Sequence, residues 1–560
     1  FRSDRRVKRV NRRTHRCSAK YENKNDEGGN FMKKTNLVKI TALALAGVTL
    51  LSLAGCGSTP DTEETLEIYI QDLGYGTQWL RDEIELFKQQ DWVKEKYPNL
   101  VIPDVKYNAQ YGYAAGQIEA GAKANSIDLF FTSADYDLQS KLDAKGNHYI
   151  EDLNDVFEEK VPGEDVLYKD KMYDAFVKSS KYGDTYWSTM WSAPYQGFLY
   201  NADIFEDLGL EVPRTTDELI ALCSQVKTLN GSNSAYSKNY TIMLSTSREE
   251  ANYWQFLAFP IWWAQYEGME NYYNFYRGID TITGTQNSRD VLAQQGRLES
   301  LEVLYDLLSD YSFTGAGSID FIEAQTRFLM GDGLIMANGD WFYQEMDTTI
   351  EGLKKRGIDY DIRFMKNPVI SAIKDVLPTV NDDATLAAVV DAVDKGETAY
   401  EGVSAADFAR VKEARSFVYS GEYLNQAFIP SYANGKDAAK DFLRFLATDI
   451  ACNQFMRSTG GATLPFKYDV KTADKDLYDS FDSIQKYRHD IYMADPTFNL
   501  PARYEEFSLA YLGGLKPVPI GYVDSAFSRA LYTAQEFFQM QIDYYSGSRW
   551  DDILRAAGRK

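Results

Sequence analysis

The chain has 560 residues, with 60 Lys+Arg against 82 Asp+Glu, 3 His and 4 Cys, and a net charge of −22. That charge argues against nucleic acid as a partner, because phosphate binding needs a basic surface. Four Cys exclude a disulfide scaffold, and 44% apolar against 25% charged residues is the composition of folded domains.

Residues 1–31 carry ten Lys+Arg, four acids and few apolar residues, and they precede a complete export signal. They read as an untranslated leader in frame, or as a disordered basic extension. Met32 opens the signal, residues 32–55: Lys33, Lys34 and Lys39 form its basic region, and Ile40 to Leu53 is a 14-residue apolar run. That run is short for a membrane span and fits a signal peptide. Its end, Leu53-Ala54-Gly55-Cys56, resembles the lipobox of bacterial lipoproteins, which implies acylation of Cys56. No other apolar run reaches 18 residues. Without residues 1–55 the chain keeps 47 Lys+Arg and 78 acids, a net charge of −31. Such a charge favours a soluble monomer. Cys223 and Cys452 read as buried thiols.

Residues 56–64 read as a polar tether. Leu66 to Ile70 alternates as a strand does, and Leu80, Ile84 and Phe87 share one helical face. Val101 to Tyr107 is a second expected strand, interrupted by Pro103. Tyr113 to Ala124 is an expected helix, and Ile127 to Thr132 a buried parallel strand. This β-α-β-α-β order predicts an α/β sheet with right-handed crossovers. Ligands of such sheets bind at the carboxyl ends of the strands. Those ends hold Asp72, Tyr75, Trp79, Tyr111, Ser133, Asp135 and Tyr136. Further on, 320–346 reads as helix, strand and helix start. Residues 382–420 read as helical, with Asp382 or Asp383 as a start signal and a Ser404-x-x-Asp407 capping signature.

The stretch from Ala193 to Leu219 contains Pro194-Tyr195, Tyr200-Asn201, an acidic-aromatic helix, Gly209-Leu210, Pro213-x-Thr215 and Asp217-Glu218-Leu219. It resembles the first crossing of bacterial extracellular solute-binding proteins of family 1, the maltose-binding-protein-like group. Phe328-Leu329-x-Gly331 with Met336-x-x-Gly339-x-Trp341 is similar to a second segment of that family. Ile429-Pro430 with Lys436 to Leu446 is similar to its return crossing, and Tyr544 to Gly558 with Trp550 to its C-terminal helix. The resemblance covers about 65–560. Residues 367–427 exceed what shorter members carry there.

The resemblance implies a two-lobed periplasmic-binding-protein-like fold of type II. Each lobe is a mixed sheet flanked by helices, with the ligand cleft between lobes. Lobe 1 would be 65–193 with 430–490, and lobe 2 would be 197–428 with 491–560. The implied function is sugar capture by hinge closure and delivery to an ABC transporter permease, on the outer face of the cytoplasmic membrane. No catalysis, cofactor or metal is implied, and the membrane is met through the lipid anchor only. A non-sugar solute such as a peptide or polyamine is the alternative, and a surface glycosidase a more remote one.

Sugars present hydroxyl rims and apolar faces, so their sites want aromatic platforms with polar groups on the rims. Trp187, Trp191 and Tyr195 flank the first crossing, and Trp254 sits in the aromatic stretch Asn252 to Tyr276. Asp340 and Trp341 stand where a strand meets a helix. Asp474, Asp476, Asp479 and Asp482 lack calcium-loop spacing and read as a solvated acidic helix start.

Overall fold

A computed structural model describes residues 64–132, 136–232, 240–246, 252–313, 315–420, 425–494, 522–556 and 559. The expected leader, signal peptide, Cys56 and nearly all of the tether lie outside them. Asp61–Lys560 forms one compact unit. Among the described residues, no helix is long and apolar enough to cross a membrane.

Two five-stranded sheets organise the chain. In the first, the strand order is Lys106–Asn108, Ile68–Gln71, Leu129–Thr132, Gln426–Phe428, Thr189–Met190. The first three strands are parallel, and Gln426–Phe428 runs antiparallel to both of its neighbours. Ile68–Gln71 and Leu129–Thr132 are buried along their whole length, as central parallel strands covered on both faces must be. Helix Gln78–Gln89 buries Trp79, Leu80, Ile84 and Phe87, the apolar stripe read from the sequence. Helix Tyr113–Ala120 is shorter than expected and stops at Gly121, whose φ of +77° favours glycine.

The expected strand Val101 to Tyr107 is two strands. Leu100–Val101 pairs with Glu64–Thr65, and Lys106–Asn108 pairs with Ile68–Gln71. Pro103 lies in the break, where its missing N–H costs no ladder bond.

The second sheet has the order Tyr240–Met243, Gly333–Gly339, Tyr195–Asn201, Ile362–Met365, and Tyr419–Ser420 pairs with the start of Tyr195–Asn201. Tyr195–Asn201 is buried throughout and runs antiparallel to both of its long neighbours. Asn201 then caps helix Ala202–Leu208, accepting from Ile204 N at 3.1 Å. Helix Phe321–Leu329, strand Gly333–Gly339 and helix Phe342–Lys354 follow the order read for 320–346.

Trp191 to Tyr195 leads from the first sheet into the second. The chain is back in the first sheet by Gln426, a few residues before Ile429-Pro430. Residues 382–420 hold helices Asp383–Asp394 and Ala405–Ser416. Asp382 and Ser404 cap them, accepting from Thr385 N and Asp407 N. The Asp407 carboxylate does not reach back to its cap; it takes Thr379 N at 2.8 Å and the Thr379 hydroxyl. Asp474 caps helix Lys475–Ser480, and Cys223 and Cys452 are buried free thiols.

Candidate functional site

Asp340 follows the end of strand Gly333–Gly339, and its N–H donates to Tyr195 O at 2.8 Å. That bond fixes the carboxylate beside the first sheet's loops. Tyr75 Oη donates to Asp340 Oδ1, while Oδ2 accepts from Thr463 N at 3.1 Å and Thr463 Oγ1 at 2.8 Å. Burial pushes the Asp340 carboxyl upward; the Arg488 guanidinium and these donors oppose the rise. Burial, with Asp340 next, pushes the Tyr75 phenol well up, so the phenol is the donor. Arg488, also buried, donates to the carbonyls of Asp340, Gly460 and Gly461.

An aromatic layer supports Tyr75. Its ring meets Trp191 edge-on at 5.9 Å, and Trp191 stacks on Trp79 at 4.8 Å. Phe455 closes the layer against Trp79 at 5.1 Å. The indole N–H groups of Trp79 and Trp191 are buried without a partner among the described residues.

Trp341 is half-buried and sits over the two glycines nearest it. A Cβ at Gly74 would lie 3.1 Å from Trp341 Cβ, and one at Gly339 would fall 2.3 Å from its ring. Glycine at both positions leaves room for the Trp341 side chain between the strand end and the Asp72–Thr77 loop. Tyr253 lies 6.3 Å from Trp341, centroid to centroid, and Tyr111 is near enough to Tyr253 to oppose its ionisation. Glu345 stands one turn into the helix after Trp341 and accepts from Gln325 Nε2 at 3.2 Å. Burial pushes its carboxyl up to about 7.

The expected residues therefore fall into groups. Tyr75, Trp191, Asp340 and Trp341 come together. Asp72 is half-buried on the same loop as Tyr75, and Tyr111 is exposed beside Tyr253. Trp79 is fully buried beneath the cluster and presents no face to it beyond Trp191. Trp187 lies apart: it stacks on His148 at 3.8 Å and donates to Tyr182 O. Trp254 is a core residue, with its Nε1 on Met243 O at 3.2 Å. Tyr195 contributes its carbonyl to Asp340, but its ring packs edge-on to Phe364 at 5.1 Å. Ser133 and Asp135 lie outside the described residues, as does the side chain of Tyr136. Sequence reasoning missed Tyr253, Glu345, Thr463 and Arg488. Arg488 carried a weak signal, as a cation on the otherwise mixed helix Ser483–Ala494.

Two helix-flanked sheets joined by chain crossings, with aromatic and carboxyl groups at facing strand ends, define the class: a two-lobed solute-binding fold. Residues 76–289 match the family model described as bacterial extracellular solute-binding protein, so the resemblance read from the crossing motif holds over that stretch. No curated protein matches the chain. Among solved structures of similar fold is the GacH receptor of Streptomyces glaucescens GLA.O, described unliganded and with acarbose. It is 14% identical, covers 88% of this chain and 99% of its own, and has a TM-score of 0.53. A chitin oligosaccharide binding protein matches at 14% identity over 88% and 99%, with a TM-score of 0.54. A solute-binding protein from Thermotoga lettingae TMO, bound with alpha-D-tagatose, matches at 14% over 88% and 100%, with a TM-score of 0.51. At these identities the shared property is the fold.

Proposed function

We propose that the protein captures a sugar, with an oligosaccharide favoured, between its two lobes and passes it to an ABC transporter permease. The observation that carries this reading is the packing of Tyr253 on Trp341 beside the loop that bears Asp72 and Tyr75, with exposed Tyr111 near Tyr253. Flat aromatic faces suit the C–H faces of a pyranose, and carboxyl and phenol groups suit its hydroxyls. The ligands named for the GacH receptor and the other two structures are all carbohydrates or carbohydrate analogues, which supports the class.

In this reading the protein binds and releases without breaking a bond. Ligand binding shifts an open–closed equilibrium because both lobes contact it only when closed. In the same reading lobe 1 comprises 65–193 with the returning chain to 490, begun at strand Gln426–Phe428 and not at 430, and lobe 2 comprises the residues between the crossings with 491–560. Acylated Cys56 would hold the protein at the outer face of the membrane, with the polar tether as spacer.

The test uses the chain from Gly57 onward. Melting temperature is measured against a panel of mono- and oligosaccharides, with peptides and polyamines in parallel. A ligand at about a hundred times its Kd adds about 2.7 kcal/mol of apparent stability. A shift with one sugar, recovered intact, supports the reading. Shifts only with peptides or polyamines sink the sugar assignment, and release of reducing sugar sinks the non-enzymatic one.

A further inference from the structure

Tyr195 turns its ring away from Asp340 and is fully buried, yet its hydroxyl has no hydrogen-bond partner among the described residues. Asn367 is 2% exposed; its Nδ2 donates to Phe417 O at 3.0 Å, while its Oδ1 has no partner among the described residues. The two polar heads flank Gly197. A Cβ there would lie 3.2 Å from Asn367 Oδ1 and 3.6 Å from Tyr195 Oη, so glycine keeps the space in front of both open. Both residues line a cavity of about 270 Å³, with Val393, Phe417, Val418 and Ile491 as its apolar walls. Helices Asp383–Asp394, Ala405–Ser416 and Ser483–Ala494 supply or adjoin these walls.

The charges in the walls are already matched. Arg415 holds Asp394 through Nη2 at 2.7 Å and Nε at 3.1 Å, and gives Nη1 to Asn367 O at 2.8 Å. Lys366 reaches the same Asp394 at 2.9 Å. Exposed Lys412 and Glu397, also among the lining residues, bring one charge of each sign.

A buried polar group left unpaired carries the cost of its lost hydration. The atom that satisfies both accepts from the Tyr195 hydroxyl and donates to Asn367 Oδ1. A hydroxyl group does both. A carboxylate cannot donate, and an ammonium would face Arg415 and Lys366. One water occupies only about 30 Å³, a small part of a cavity of about 270 Å³ whose walls are mixed, apolar at Val393, Phe417, Val418 and Ile491 and polar elsewhere. We propose that this cavity is a second binding site, for a small neutral polyol of up to monosaccharide size, separate from the Trp341–Tyr75 face. The proposal does not depend on which solute that face takes.

Amide hydrogen exchange of the protein, with erythritol and with myo-inositol at tens of millimolar, tests it. The expected result is slowed exchange in 363–367, 391–397 and 415–418 with at least one of the two probes. Tyr195→Phe removes the hydroxyl and keeps the ring; it should weaken the effect about tenfold or more. Val393→Trp, which leaves both polar heads intact, should abolish it by filling the cavity, and Trp341→Ala should retain it. Far-UV circular dichroism establishes that each variant is folded, and Val393→Trp carries the test alone if Tyr195→Phe is not. No slowing with either polyol overturns the proposal. So does slowing confined to 72–77 and 339–345, or slowing that the folded variants leave unchanged.

Discussion

Trp341 is the residue on which the proposed sugar site most depends. Its indole is half-buried, packed against Gly74 and Gly339. Trp341→Ala should weaken sugar binding at least tenfold, about 1.4 kcal/mol, in isothermal titration. Trp341→Phe should recover part of the loss, because a smaller aromatic face remains. Equal affinity in all three proteins would remove Trp341 from the site. Two other carboxyls make stability depend on pH. Burial pushes Asp524 up to about 7, against an ordinary 3.8, although it accepts from Trp254 N and Gln255 N. Glu345 is likewise pushed up to about 7. Both groups bind their proton more tightly in the folded chain than in the unfolded one. Their contribution is therefore most favourable at low pH, and is lost as pH rises from their ordinary values through about 7. Chemical denaturation should show these groups lowering stability between about pH 5 and 7. Asp524→Asn should flatten that slope; an unchanged slope would show that Asp524 is ionised throughout. Neither carboxyl was legible from sequence, because nothing local in Val523-Asp524-Ser525 marks the Asp as buried.

At the scale of elements, more was legible where one local rule decided the outcome. The apolar stripe of helix Gln78–Gln89 and the caps at Asp382 and Ser404 were read from spacing alone. Ser404 illustrates both the strength and the limit of such reading. Its hydroxyl caps the helix, but the Asp407 carboxylate is diverted to Thr379, a partner 28 residues away in sequence. A tertiary contact overrode the second half of the capping box. Ser404→Ala should still cost about 1 kcal/mol of stability, because the Asp407 N–H loses its acceptor. A chemical denaturation midpoint equal to the parent's would show that solvent replaces the cap at no cost. Pro103 was visible as an interruption, yet two separate strands with different partners were not. Pairing partners are non-local, and a two-residue strand has no period to read. The site had the same limit: strand ends located Asp72, Tyr75 and Tyr111, but Thr463 joined them through a loop that no pattern marked.

Across the whole molecule, Asp340 is the point where the second sheet grips the first sheet's side. Its backbone belongs to the end of strand Gly333–Gly339, while its carboxylate takes the Tyr75 hydroxyl and two donors of Thr463. Tyr75 lies on the loop after strand Ile68–Gln71, so under the proposed hinge closure the grip joins the two bodies that opening would separate. Asp340→Asn keeps the size but replaces one acceptor oxygen with an N–H donor. That donor must face Tyr75 Oη or the Thr463 donors, leaving at least one buried group unmatched. Such a mismatch costs about 1–3 kcal/mol. If closure carries that cost, a loss of about 2.7 kcal/mol moves the open–closed ratio about a hundredfold toward open. The variant without ligand should then show a larger radius of gyration in X-ray scattering than the parent, and a saturating ligand should restore the parent's value. Affinity should fall by the same factor as the closed population, since the ligand must supply the closing energy that Asp340 no longer gives. A variant whose scattering matches the parent's, with a lower melting temperature, would place Asp340 in the stability of the fold and outside hinge closure.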